Sequence, residues 1–426
     1  MAKIFEFKGK KGQKEEDEVF EDDYLDSDTD SDIDDSPSED KAVPETGDYK
    51  KKIARHRRVI LYKVLIAVVL CTAIGAGMYI NYERTIYTGY NVLDTIKYAE
   101  VATANYREFN NNILRYSTDG ASAFNMQDEM LWNQTYEMQS PMVDICNDYV
   151  GIGDYKGTKI YLLNSKGLQG EIDTTLPIQN FKVSGNGVVA VVLEEKEVTW
   201  VRIFNREGNV IASDRTTMAK SGYPVNIALS DNGILLAVSY LKIETNDMVS
   251  SVAFYNFGNV GQNEIDNLVS GYNYENTVVS YVEFMNDRSA FAVGDNKFTI
   301  FRGGQKPESV FEIDIDDEIK SVFHNEDYIG LVFVEGTSEA AYRLDVYDTS
   351  GELVLSKPFD LEYTDIIFHG GRIVIYNSNN CLICNMDGME KYDGAFQSSV
   401  IELVPTSSNL RYLLVSGNKT EKIQLK

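Results

Sequence analysis

Two periodicities divide the chain. From Val59 to Tyr82 (VILYKVLIAVVLCTAIGAGMYINY) apolar residues run almost unbroken, and Lys63 is the only charge. At 1.5 Å rise per residue, about 20 residues cross the hydrocarbon core of a bilayer, so the stretch predicts one transmembrane helix over 59–82. Lys63 lies within one turn of the start, where a long side chain reaches the headgroups, and Tyr62, Tyr79 and Tyr82 stand near the two interfaces. Beyond residue 113 the period falls to two, in short β-rich runs punctuated by Gly and turn dipeptides.

Those runs repeat. An apolar–polar alternating strand, a turn, a nearly continuous apolar strand and a third strand ending in a Gly turn recur down the chain. Pro177–Ser184 precedes Gly187–Leu193, Pro224–Gly233 precedes Ile234–Tyr240, and Ile319–Phe323 precedes Tyr328–Val334. The third-strand turns close on Gly167, Gly208, Gly258, Gly304, Gly351 and Gly388. Four short strands in each ~35–50-residue unit predict an all-β fold, a β-propeller. Units that begin with early strands number seven, so seven blades are expected. Ile113–Ser117 is left over and makes eight the alternative. Ala121–Asn125 and Met130–Tyr136 look like late strands without early ones. They are expected to complete the last unit, Val400–Val404 with Arg411–Val415, from the other end of the chain. Residues 83–112 read as a stalk or short helix, and 113–426 as the propeller ectodomain.

Charge refines the topology. The chain carries 66 acidic and 40 basic side chains, a net −26. Residues 1–49 hold 18 acids against 6 lysines and few apolar positions, so they predict a disordered acidic tail. Ser27, Thr29, Ser31, Ser36 and Ser38 stand among its acids as candidate phosphorylation sites. Residues 50–58 hold six Lys or Arg and no acid. Basic residues on the N-terminal flank put the tail in the cytoplasm and the propeller outside the cell membrane. The 58 residues before the apolar run favour a signal anchor over a cleaved signal peptide. So acidic a chain would repel nucleic-acid phosphates, and four cysteines exclude a disulfide scaffold.

Catalytic, cofactor and metal signatures are not evident. Cys381 and Cys384 are spaced as a redox pair but fall in a predicted strand, where a spacing of three sends them to opposite faces. His324 and His369 have no second ligand at helical spacing. Asp314–Glu318 lacks the glycine of a calcium loop. Two connections stand out by length, Leu241–Met248 and Gly258–Asp266. Tyrosines beside Asn and Gly give adaptable contact surface, so Tyr223, Tyr240, Asn263, Glu264, Tyr272 and Tyr274 are the candidate partner-binding residues.

Asp119-Gly120 with Leu131-Trp132-Asn133, Ser221–Pro224, Ser239–Leu241, and Phe254–Gly258 followed by Val260–Glu264 resemble a family of single-pass envelope proteins of Gram-positive, clostridia-like bacteria with a domain of unknown function. The resemblance spans nearly everything after the apolar run. The ectodomain also looks like WD40 or quinoprotein propellers, although Trp132 and Trp200 are the only tryptophans and no blade-by-blade Trp signature exists. The family implies topology and no reaction. The expected role is a non-enzymatic binding or scaffold module, anchored through 59–82, with an envelope protein or glycan as partner. One alternative is a transmembrane sensor whose acidic tail docks a cytoplasmic partner. The other is an extracytoplasmic glycan-active enzyme with a site in the propeller channel. Clustered acids with a base in that channel would mark the enzyme, and apolar strand ends the scaffold.

Overall fold

The computed structural model describes residues 46–98, 104–196, 198–217, 221–244, 247–336 and 340–426. Of the acidic tail expected to be disordered over 1–49, residues 1–45 with the candidate phosphorylation sites lie outside the described residues, and 46–49 are instead the start of a helix. Thr46–Arg84 is one α-helix of 39 residues, and its stretch Ile53–Met78 is long and apolar enough to cross a membrane.

The remainder is an eight-bladed β-propeller. Eight four-stranded antiparallel sheets follow one another, blades 1 to 7 covering 105–135, 141–173, 178–217, 223–275, 279–314, 319–359 and 365–395. Blade 8 takes three strands from the C-terminus, Glu402–Pro405, Arg411–Val415 and Lys419–Leu425. Its fourth is Tyr90–Lys97, paired antiparallel from Tyr90↔Leu425 to Lys97↔Lys419. First strands of neighbouring blades touch one another, so they line the axis and fourth strands form the rim. Second strands, packed on both faces, are continuous apolar runs: every residue of Ser289–Gly294 is buried.

Three expectations are corrected here. Ala121–Asn125 and Met130–Thr135 do not complete blade 8. They are the third and fourth strands of a full blade 1, whose first two are Asn105–Phe109 and Asn112–Tyr116. The hairpin between those two turns on Asn110 and Asn111, with φ 43° and 57°, left-handed geometry that Asn tolerates and a two-residue hairpin requires. The expected stalk or helix over 83–112 instead contains these strands and the closing strand Tyr90–Lys97. A bare edge at Lys419–Leu425 would be a site for aberrant pairing, and the N-terminal strand covers it. The count is therefore eight, not seven.

Each blade also bends in the same place. Early in every fourth strand one residue is skipped by the pairing: Leu131, Gln169, Ile211, Val269, Val310, Val354, Lys391 and Leu93. Such bulges increase local twist, and a radial blade needs twist from axis to rim. Eight apolar clusters fill the eight seams between blades. The seam where blade 8 meets blade 1 holds five buried residues, Tyr106, Ile113, Val404, Leu413 and Val415, the smallest of these clusters.

Candidate functional site

The first strands expose one set of side chains to the axis, and charges interrupt otherwise apolar sequences there: Asp144 in Pro141–Cys146, Lys182 in Ile178–Val183, Glu283 in Val279–Asn286. Lys182 Nζ lies 2.5 Å from Glu283 Oε2 and 3.4 Å from Asp144 Oδ1. Asp144 is on blade 2 and Glu283 on blade 5, so the lysine of blade 3 reaches past blade 4. The first strand of blade 4 carries the short Asn226, which borders the same space as Lys182 and Asp144. Each acid is also tied to backbone: Asp144 Oδ2 accepts from the Val183 N–H at 2.7 Å, and Glu283 Oε1 from the Phe284 N–H at 3.2 Å. Burial pushes the Asp144 carboxyl up, and Lys182 pulls it back. Burial alone would lower the Lys182 pKa, but Glu283 and Asp144 outweigh it and raise it, so the ammonium stays charged.

These residues border a cavity of about 640 Å³ that opens where first strands turn into second strands, among Asn147, Asp231, Asn325 and Glu326. His324 lines it. Its ring stands edge-on to Phe291 at 5.4 Å, its Nδ1 is buried without a partner, and burial with the nearby Lys182 lowers its pKa to about 4. The Cys146 thiol also borders the cavity, 3.4 Å from Asp231 Oδ1; burial and then Asp231 raise its pKa, so it stays protonated.

A second charged group comes from blades 1, 7 and 8. Arg107 faces Glu402 and Asp365 electrostatically without forming an ion pair among the described residues. Burial pushes the Glu402 carboxyl up to about 7, against Arg107 and with Asp365 and Glu108. Burial likewise raises Asp365, opposed by the Ile366 N–H and Arg107. The axis is thus charged rather than lined by apolar strand ends, the condition expected of the glycan-active enzyme and not of the scaffold. Among the described residues no group of three His, Cys, Asp or Glu is placed to hold a metal ion.

The tyrosine-rich region does not form one surface. Tyr240 is 3 % exposed, its hydroxyl 3.0 Å from that of Tyr255, beside a small cavity of about 120 Å³. Tyr274 is buried in the seam between blades 4 and 5. Both pack blades together because tyrosine at an inward strand position fills a seam. Tyr272 donates to the Pro307 carbonyl at 3.0 Å and accepts from the Ser309 N–H at 3.1 Å, fastening one rim to the next. Tyr223 is exposed, as are Asn263 and Glu264 in the connection after Gly258. The expected loop Leu241–Met248 is largely strand, the hairpin continuing to the pair Glu244↔Asp247.

The 258–267 connection is long but held. Buried Asn256 donates to the Gln305 carbonyl at 2.8 Å and accepts from the Gly258 N–H at 2.8 Å. Gly261 packs so closely that a Cβ there would sit 1.7 Å from the Asn256 carbonyl oxygen. On that base Ile265 is 86 % exposed, with Val260 and Leu268 also exposed beside it. Cys381 and Cys384 are both buried, in the clusters on opposite sides of blade 7. Asp314 and Asp317 are engaged by Lys297 and Arg343 at 2.7 and 2.8 Å.

The closed ring and its charged axis define an eight-bladed β-propeller carrying one apolar helix. Residues 82–425 match the family of unknown function DUF5711, and the chain belongs to that family. No curated protein matches the chain. Among solved structures it is similar to BamB from Moraxella catarrhalis, at 12 % identity over 79 % of this chain and 100 % of that one, TM-score 0.46. It is similar to Hsv2p of Kluyveromyces lactis at 13 % identity over 71 % and 100 %, TM-score 0.46, and to AztD of Citrobacter koseri at 10 % over 70 % and 87 %, TM-score 0.47.

Proposed function

We propose that the chain is a membrane-anchored, non-enzymatic binding module of the bacterial cell envelope. Its acidic N-terminus is cytoplasmic and its propeller extracytoplasmic, an orientation supported by the basic residues Lys50 to Arg58 ahead of the apolar span. The observation that carries the binding role is Ile265. A large aliphatic side chain presented to water from a loop clamped by Asn256 and Gly261 is a preorganised anchor, which lowers the entropy lost on binding. Asn263 and Glu264 supply polar neighbours for an envelope protein partner, with Tyr223 and Tyr272 as further candidates. Tagged full-length protein, gently solubilised, is to be compared with Ile265→Asp and with a chain lacking residues 1–49. A stoichiometric envelope partner retained without the tail and lost in Ile265→Asp, at unchanged melting temperature, supports the reading. A partner lost with the tail moves the sensor reading ahead, and no specific partner with any form overturns the module.

One observation supports a second reading, a glycan-active enzyme. Glu402, pushed up to about 7, sits with Asp365 around Arg107, and glycosidic cleavage uses a protonated acid opposite a carboxylate. Asp144 and Glu283 do not serve this purpose, since both are committed to Lys182. Release of reducing ends from cell-wall glycan by the parent but not by Glu402→Gln would establish the enzyme; no release by the parent removes it.

A further inference from the structure

We infer that the axial cavity bordered by Asp144, Lys182, Glu283 and His324 is a binding site for a small ligand carrying an amine. The inference deepens the binding-module reading by naming what the propeller axis takes, and it is independent of the Ile265 loop. Three features carry it. The space, about 640 Å³, falls in the range of small-molecule sites. Its wall is acidic: Glu108, Asp144, Asp231, Glu283 and Glu326 stand against Arg107 and Lys182. One ammonium spans two of those carboxylates, so it cannot neutralise the wall, and low-dielectric surroundings focus the remaining negative potential into the opening.

The third feature is His324. The residue is part-buried, and its Nδ1 is buried without a hydrogen-bond partner among the described residues. An unpartnered buried polar group destabilises a fold, and a phenylalanine of similar shape would pack against Phe291 without that penalty. Nδ1 is closed off from the cavity, so Nε2 of the neutral imidazole is the atom that can accept a hydrogen bond from an ammonium that the acids attract. Groups retained against stability are characteristic of binding sites. The described residues do not assemble a metal-ligand cluster at this place, so an organic cation is the ligand the wall fits.

The test uses the full-length protein in detergent and titration calorimetry with spermidine and glucosamine, against glucose and glucuronate as neutral and anionic controls. Both amines should bind and both controls should not. His324→Phe should melt at a higher temperature yet bind the amines at least ~10-fold more weakly, and Asp231→Asn should weaken them by ~3–10-fold with little change in melting. Amine binding that persists unchanged in His324→Phe places it elsewhere, on the acidic tail for instance, and overturns the inference. So does equal binding of glucose or glucuronate, or no amine binding. Partner capture through Ile265 is read separately, so loss of one result leaves the other standing.

Discussion

Replacing Lys182 by methionine keeps the length of the side chain and removes the charge that holds two blades' carboxylates together. At the observed separations of 2.5 and 3.4 Å, the gross attraction is ~5–7 kcal/mol for each acid at an effective dielectric of ~20. Much of that offsets desolvation of the ions. Breaking one partner of a buried pair leaves about 3 kcal/mol of net loss, the adjoining water-accessible cavity keeping it at the lower end. A propeller of roughly 340 residues unfolds with an entropy near 0.7 kcal/mol/K, so the melting temperature should drop by about 4 °C at pH 7.5. The pH dependence is the sharper prediction. Asp144, already pushed up by burial, rises further without the ammonium. Its folded pKa, already above the unfolded value in the parent, lies further above it in the variant, so the variant gains more stability than the parent as pH falls through that folded pKa. Calorimetric scans of parent and Lys182→Met should therefore converge between pH 8 and pH 5. A deficit of the same size at both pH values would refute the reasoning, as would no deficit at all. Lys182→Met with Glu283→Gln should regain part of the loss, since one uncompensated charge is gone.

Three further outcomes are expected. Glu402, pushed up to about 7, is costly to keep ionised in the folded state, so Glu402→Gln should stabilise the protein by about 2 kcal/mol at pH 8 and by little at pH 5, read by thermal melts. Gly351→Ala should destabilise by roughly 2–3 kcal/mol in denaturant titrations, because φ is 90° and the new Cβ would sit 2.2 Å from the Phe311 ring. In native-state hydrogen exchange, amides of Asn105–Phe109 and Glu402–Pro405 should exchange before those of blades 3 to 5, since these strands supply the smallest apolar cluster. Uniform protection around the ring would contradict that seam's weakness.

The repeat was legible because the physics of a blade imposes it. Inner strands buried on both faces must be apolar, outer ones alternate, and Gly closes the turns. What escaped lies where those constraints relax. Tyr90–Lys97 has one edge unpaired and mostly exposed side chains, so Val92, Leu93 and Ile96 suit a helix as well as a strand. Asn105–Tyr116 hides its hairpin behind two asparagines, without the Gly that marks the corresponding turns of blades 3, 4 and 7. The charged axis gave a signal that could have been read: single charges inside first strands, at Asp144, Lys182 and Glu283. Their convergence could not, because Lys182 meets Glu283 across 101 residues, with the whole of blade 4 between them in the chain. Tyr240 and Tyr274 misled for the opposite reason, since composition alone does not tell a tyrosine in a seam from one on a surface.

The strand that shuts the ring also has a mechanical meaning. Tyr87 is bonded to the Lys391 carbonyl at 2.7 Å, Thr88 to that of Lys426 at 3.0 Å, and seven paired positions follow from Tyr90 to Lys97. Tension arriving along the polypeptide from its helix meets the Tyr87 bond to blade 7 and then this strip. Pulling along a strand loads its ladder of hydrogen bonds together in shear rather than one at a time. The latch that completes the fold is therefore also its strain relief: force on the tether loads the Tyr87 bond and the Tyr90–Lys97 ladder first, and a pull along the strand is resisted by that ladder in shear.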